Sequence, residues 1–408
     1  MKIFIKKSIK KYFPYIHHRN ILIYYLVSIF NSCWFVEGNW IFFLTRYITF
    51  GQFGIIESLV FTLGLLFEIP AGAISDLFGK KISLILGMFA SFLGALVLSS
   101  VKNESSIIYG YIVLQFGWAF TSGTLEAFAY DSLVEKKDEK NYDKVVSANN
   151  SLMIIVFVIT SLTGGLLYNI YFRLPYIVWS VCYLVAMISL FFAVEPEIKE
   201  KVEFTFNNFI KQFIQGIKEL IKPNLKKFLV IIIVFSGINY AYDMGFIKPL
   251  LAVNFEFKES SQSIIYACIG LVIAFTVRLM PVIRKKLSDE IGLLILMIVQ
   301  GLAYLTASLT IGYSGIFVLL SLDIIGSMIY PWISIIVNDK VPSKYRATTL
   351  STLNLITKIP YVLIAVIAGN LMQEKNFELF TISLSMIIFV SVIISSFLMI
   401  RRNYNKEY

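Results

Sequence analysis

Twelve apolar runs of about 20 residues or more, which is the length a helix needs to cross a bilayer, divide this chain and restrict its fold more than any other feature. They lie near 21–44, 52–74, 82–100, 106–130, 145–169, 174–194, 227–253, 262–281, 291–312, 315–337, 347–371 and 377–400. Of the 408 residues, 57% are apolar and 15% charged, against about 25% charged in a soluble domain. Mean hydropathy is +0.75. The expected fold is an all-α membrane protein with twelve transmembrane helices.

Net charge is +10. The basic residues sit in short loops between apolar runs, so no basic face is available to follow a phosphate backbone, and nucleic acid is excluded as a partner. Their distribution is a topology signal. Of the 36 Lys and Arg, 28 fall in the two tails and the loops on one side, and 5 in the loops on the other. Lys248, Arg278 and Lys358 lie within spans. Both termini are therefore expected in the cytoplasm of a multi-pass cell-membrane protein. Lys2, Lys6, Lys7, Lys10, Lys11 and Arg19 precede an apolar run of full spanning length with no small-residue cleavage site, which is unlike a cleavable signal. Cys33, Cys182 and Cys268 all fall in spans and are expected as buried apolar fillers rather than a disulfide framework.

Between the second and third runs stands Glu68-Ile69-Pro70-Ala71-Gly72-Ala73-Ile74-Ser75-Asp76-Leu77-Phe78-Gly79-Lys80-Lys81. Glycines let two helices and their connection approach closely. The acid can cap or pair at a neighbouring helix end, and the lysines anchor the turn on the cytoplasmic side. The string resembles the loop between helices two and three of the major facilitator superfamily, roughly G-x-x-x-D-R-x-G-R-R/K. Gly72, Asp76, Gly79, Lys80 and Lys81 match; Leu77 replaces the base after the acid. Glu68 and Pro70, with Glu126-Ala127-Phe128-Ala129-Tyr130-Asp131, resemble a bacterial drug-efflux-like branch, as does Pro342 to Ser351 at the entry to span 11. The resemblance covers the whole chain. It implies two pseudo-symmetric six-helix bundles, here 1–194 and 227–408, joined by a cytoplasmic linker at 195–226. It also implies a conformational switch at Gly72, Asp76, Gly79, Lys80, Lys81 and Asp131, with Asp131 pairing Lys80 or Lys81.

Two features of the residues fit that plan. In the linker, Phe204, Phe206, Phe209, Ile210, Phe213, Ile214, Ile217, Leu220 and Ile221 recur at helical spacing beside Lys211, Lys218 and Lys222, as in an amphipathic helix at the membrane interface. A shift of 206 residues lays span 1 on span 7, with Trp34 on Tyr240, Glu37 on Asp243 and Trp40 on Phe246. The same shift brings Gly165 near Gly369. Arg284-Lys285-Lys286 stands where Lys80-Lys81 stands in the first half, without the acid and glycines.

An ionisable residue within a span is costly and hence a candidate for function. Glu37 and Asp243 are flanked by Trp34, Trp40, Tyr240, Tyr242 and Phe246, with Asn31 and Asn239 adding amides. In the superfamily, spans 1 and 7 line the central cavity. The expected substrate contacts are therefore Asn31, Trp34, Glu37, Asn239, Tyr240, Asp243 and, on its sharper reading, Lys358, suited to a cationic or amphipathic solute. Glu126, with no evident base nearby, is the first proton-coupling candidate, followed by Glu37 and Asp243. The favoured reading of Lys358 is an intramembrane pair with Asp323, because the two differ in depth by only roughly 6 Å.

Span 4 lacks the arginine common in drug–proton antiporters, and Thr160-Ser161 replaces their Gly-Pro in span 5. No G-x-x-x-x-G-K-S/T string is present, so ATP drive is not indicated. His17-His18 lacks the surrounding ligands of a metal site. The expectation is a monomeric secondary transporter, not an enzyme, without cofactor or metal and driven by the proton gradient. It would export an amphipathic or cationic small molecule by alternating access. Proton-coupled uptake of a polar metabolite, and a transporter-fold sensor without net flux, are the alternatives.

Overall fold

The computed structural model describes residues 13–196, 206–243, 245–276, 279–342 and 345–404. Among them every regular element is helical. In chain order these are α1 (Arg19–Asn31), α2 (Trp40–Leu44), α3 (Phe50–Phe78), α4 (Lys80–Ser99), α5 (Glu104–Thr121), α6 (Thr124–Glu135), α7 (Tyr142–Ile170) and α8 (Leu174–Phe191). There follow α9 (Phe206–Leu220), α10 (Pro223–Lys226), α11 (Ser236–Asp243), α12 (Ile247–Asn254), α13 (Glu259–Thr276), α14 (Met280–Lys286), α15 (Asp289–Ala307), α16 (Gly315–Lys340), α17 (Arg346–Gln373) and α18 (Phe377–Tyr404).

Local chemistry sets several boundaries. Asn103 and Ser106 form a reciprocal capping box at the start of α5. Ser288 caps α15, whose first turn holds Asp289 and Glu290 at the positive end of the helix dipole. Gly79 separates α3 from α4 at φ +95°, a backbone that a side-chain-bearing residue rarely adopts.

Nine helices among the described residues are long and apolar enough to cross a membrane. Their outer faces show many apolar side chains: Ile170 is 76% exposed, Phe317 74% and Phe275 70%. In water such a surface would be unfavourable; against lipid it is the appropriate one.

The other three expected runs are interrupted. Residues 32–39 form turns between α1 and α2. Ser122 and Gly123, the latter at φ +70°, divide α5 from α6. The run near 227–253 contains a π-helical turn at Ile231–Phe235 and stops at Asp243, resuming at Ile247. Sequence hydropathy does not register these breaks because they are short and flanked on both sides by apolar residues.

Other expectations also need correction. Helix α3 continues past 74 to Phe78, so Asp76 belongs to a helical turn rather than to the connection; its side chain lies outside what the structure describes, as do the surroundings of Gly72. Cys33 and Cys182 share a small apolar cluster with Val156, but Cys268 is exposed. The linker does contain a helix, α9, which packs on α17, where Gly216 abuts the Thr352 side chain, and which buries Glu219 beside Lys222 and Gln215.

The chain forms two compact units. One comprises 1–47, 60–205 and 259–270; the other comprises 48–59, 206–258 and 271–408. Each takes in the opening turns of a helix from the other half of the sequence. Within the first unit, Gly164 meets the Phe35 carbonyl, and Gly165 lies against Ser263 of α13. Within the second, Gly54 of α3 meets the Ala365 carbonyl and Gly369 of α17. The repeat-related glycines Gly165 and Gly369 thus serve equivalent close helix contacts.

Candidate functional site

The α3–α4 turn is held by three distinct interactions. Glu195 accepts the backbone N–H of Lys80 at 2.7 Å and of Lys81 at 2.8 Å, placing an anion at the N-terminus of α4. The Lys81 ammonium donates to the Ala193 carbonyl at 2.8 Å, beyond the end of α8. Lys80 pairs with Asp131 of α6. The turn is therefore clamped to α6 and to the segment after α8. Sequence reasoning missed Glu195 because it lies 115 residues away, in a stretch read only as linker.

The second unit carries its own charged cluster. Arg284 of α14 meets Asp289 at 3.0 Å and Asp339 of α16 at 3.0 Å. Trp332 donates its indole N–H to Asp289 at 2.8 Å, and Lys227 pairs with Glu290. The glycines of the first turn are absent here, but a base still joins the α14–α15 connection to α16. The arrangement parallels Lys80 and Asp131 in the first unit.

The interrupted runs carry Glu37, Glu126 and Asp243. Glu37 lies in the turn between α1 and α2, half-buried, and its N–H donates to the Trp34 carbonyl at 3.2 Å. Trp34 stacks on Trp118, with centroids 5.8 Å apart and planes at 8°, and Trp179 is 6.4 Å from both. The carboxamide oxygen of Asn31 is buried without a hydrogen-bond partner among the described residues. Glu126 stands in the first turn of α6 and is exposed. In the second unit, Asp243 is the last residue of α11 and accepts from Asn239 at 2.8 Å. Tyr240 packs edge-on against Tyr361 at 5.9 Å, and Lys358 lies half-buried one turn before that tyrosine.

Among the ion pairs of the described residues, Asp323 is not joined to Lys358 as expected. Asp323 instead pairs with Lys248 at 2.8 Å, and the two side chains are 6% and 11% exposed. Helix α12 begins after the break that follows α11, packs against α16 and brings Lys248 to Asp323. Lys248 stands as near to Asp323 in depth as Lys358 does even when the seventh run is counted as one straight helix, so depth alone does not choose between the two lysines.

A family model for the Major Facilitator Superfamily matches residues 20–365. The chain belongs to that superfamily. It is 26% identical over 270 residues to the uncharacterized MFS-type transporter YxaM of Bacillus subtilis (strain 168); the match covers 64% of this chain and spans 64% of the length of YxaM. The solved nucleoside transporter NupG matches with TM-score 0.71 at 12% identity, over 94% of this chain and 98% of its own. A POT family transporter in complex with 5-aminolevulinic acid matches with TM-score 0.72 at 13% identity, over 96% and 98%. Identities this low establish the fold alone. The family places the chain among transporters rather than enzymes and embeds it in a membrane.

For a superfamily member, one further acid stands out that the sequence reading passed over. Glu57 is seven residues beyond Phe50 in α3, roughly 10 Å along the helix. It accepts a hydrogen bond from the Tyr361 hydroxyl at 2.7 Å. No cation lies within ion-pair distance of it among the described residues. The signal was available, since Glu57 is an ionisable residue within an apolar run, the criterion that selected Glu37 and Asp243. Gly54 and Gln373 frame it: Gln373 accepts from the Thr49 hydroxyl and the Gly51 N–H, both at 3.0 Å.

Proposed function

We propose that this superfamily member is a proton-coupled secondary transporter that exports an amphipathic or cationic small molecule by alternating access. On this reading it is a monomer of the cytoplasmic membrane, with the three interrupted runs completing twelve crossings and both termini inside. The observation that carries the coupling is Glu57. A carboxylate within a span costs at least about 2.5 kcal/mol by insertion scales unless it is paired or neutral, and its partner is an uncharged phenol. A proton on Glu57 removes that cost.

The substrate side of the proposal rests on the helix breaks. Interrupted membrane helices expose backbone dipoles and allow polar groups at spanning depth, which is how transporters of several folds build binding sites. Glu37 and Asp243, 206 residues apart, stand at two such breaks in the company of aromatic rings. Carboxylates with aromatic neighbours favour organic cations. Glu126, exposed at the third break, serves as a proton relay. The charged turns at Lys80–Asp131 and Arg284–Asp339 act as the conformational switch, with Asp76 contributing from the last turn of α3.

Everted vesicles with an imposed pH gradient test the proposal. A panel of lipophilic cations, neutral amphiphiles and polar metabolites should show gradient-driven accumulation of the first class. Glu57→Gln should abolish the accumulation while leaving solute exchange intact. Accumulation of a polar metabolite in right-side-out vesicles only would refute export. Accumulation that survives collapse of the pH gradient would refute proton coupling.

A further inference from the structure

At one end of the first unit two cavities adjoin, and Arg19 lines both. The first is polar, about 340 Å³, with His17, His18, Arg19, Asn20 and Lys136 in its wall. The second is an apolar groove of about 490 Å³ between α1 and α8, lined by Leu22, Leu26, Val185, Ile188 and Phe192. Together they form a charged mouth continuous with an apolar trough, the shape of an amphiphile rather than of a free ion.

The polar mouth has unused capacity. The Nδ1 atom of His18 is buried with no hydrogen-bond partner among the described residues. Burial, followed by the adjacent His17, lowers the His18 pKa, so this ring offers hydrogen bonding rather than charge. The permanent cations are Arg19 and Lys136. Arg19 spends its Nε–H on the Phe192 carbonyl, which fixes the guanidinium at the junction of the two cavities. Lys136 meets Glu135 at 2.9 Å. Arg19 and Lys136 against Glu135 leave the mouth one net positive charge apart from its histidines, and five further lysines precede it in the chain at 2, 6, 7, 10 and 11.

We propose that this is a binding site for an anionic phospholipid, which seats its phosphate against Arg19, Lys136 and His18 and lays one acyl chain in the α1–α8 groove. The site is separate from the transport path proposed above and does not depend on it. The lipid packs against both α1 and α8, the two helices that flank the segment holding Glu195, and so bears on the clamp of the α3–α4 turn.

The test uses the full chain, delipidated in detergent and examined by native mass spectrometry and thermal melting. Dioleoyl phosphatidylglycerol, dioleoyl phosphatidylcholine and inorganic phosphate are the probes. Phosphatidylglycerol should be retained and should raise the melting temperature, with phosphatidylcholine weaker and phosphate inert. Lys136→Gln should weaken retention roughly fivefold, equivalent to about 1 kcal/mol for one basic residue near an anionic surface. Ile188→Trp should block it by filling the trough, whereas Leu96→Trp, an exposed apolar position on α4, should leave it unchanged. Equal binding of the two lipids, equal stabilisation by phosphate alone, or full retention in Ile188→Trp would each overturn the proposal. Because the readout is lipid retention, it stands or falls whether or not protons drive transport.

Discussion

Lys248 and Asp323 give the sharpest test of how the seventh run is built. Their side chains are 11% and 6% exposed, and one carboxylate oxygen of Asp323 has no hydrogen-bond partner among the described residues. Removing one member of a buried pair typically costs about 3–5 kcal/mol, since the remaining charge is left without compensation. Lys248→Ala should therefore lower the folded-to-unfolded ratio by about a hundredfold or more. The Tyr242 ring, 5.8 Å from the ammonium, loses its cation as well, so the loss should exceed that of Asp323→Ala. The double substitution removes both charges and should recover at least ~1 kcal/mol relative to the sum. Reversible unfolding of the purified protein in mixed detergent micelles reads these differences, and the abundance of a fluorescent fusion checks them in cells. Lys358→Ala combined with Asp323→Ala is the comparison that matters, because sequence depth favoured that pairing. Additive losses for Lys248 with Asp323, or a coupling energy for Lys358 with Asp323 of similar size, would refute the assignment.

Further expectations concern turnover. Lys80→Met and Asp131→Asn should each slow transport at least ~tenfold in vesicles while leaving substrate affinity within about twofold if the pair acts as the proposed switch and touches no solute; a matching loss of affinity would count against this. Glu195→Gln weakens the anion at the α4 N-terminus and should cost about 0.5–1 kcal/mol of stability, read as a lower melting temperature without loss of insertion. Tyr361→Phe should displace the pH profile of transport and Glu57→Gln should flatten it; an unchanged profile in both would exclude Glu57 from coupling. Gly165→Leu and Gly369→Leu should each reduce transport strongly, because a side chain there meets Ser263 or the Phe50 carbonyl; normal flux in either variant would show that the close contact is dispensable.

The parts of this protein that were legible in its sequence are those governed by composition over about 20 residues. Apolar length fixes a helix in lipid whatever its neighbours are, so the nine uninterrupted spans could be located to within a few residues. The Gly79 turn was legible because a short connection between two spans leaves few backbone solutions. The breaks were not legible. Cys33 to Val36 are as apolar as a helix interior, and only the tertiary setting shows why the chain departs there: Gly38 lies against Ser263, and Phe35 presents its carbonyl to Gly164. Once a helix is interrupted, residue depth no longer follows from residue number. For Asp323, depth alone does not separate Lys248 from Lys358, and the packing of α12 on α16 decides it. The break at Ser122 and Gly123 sets Glu126 in the first turn of α6, on an exposed face. Glu57, the acid proposed for coupling, stands in an unbroken helix where position does follow from number, but its partner, Tyr361, lies 304 residues away.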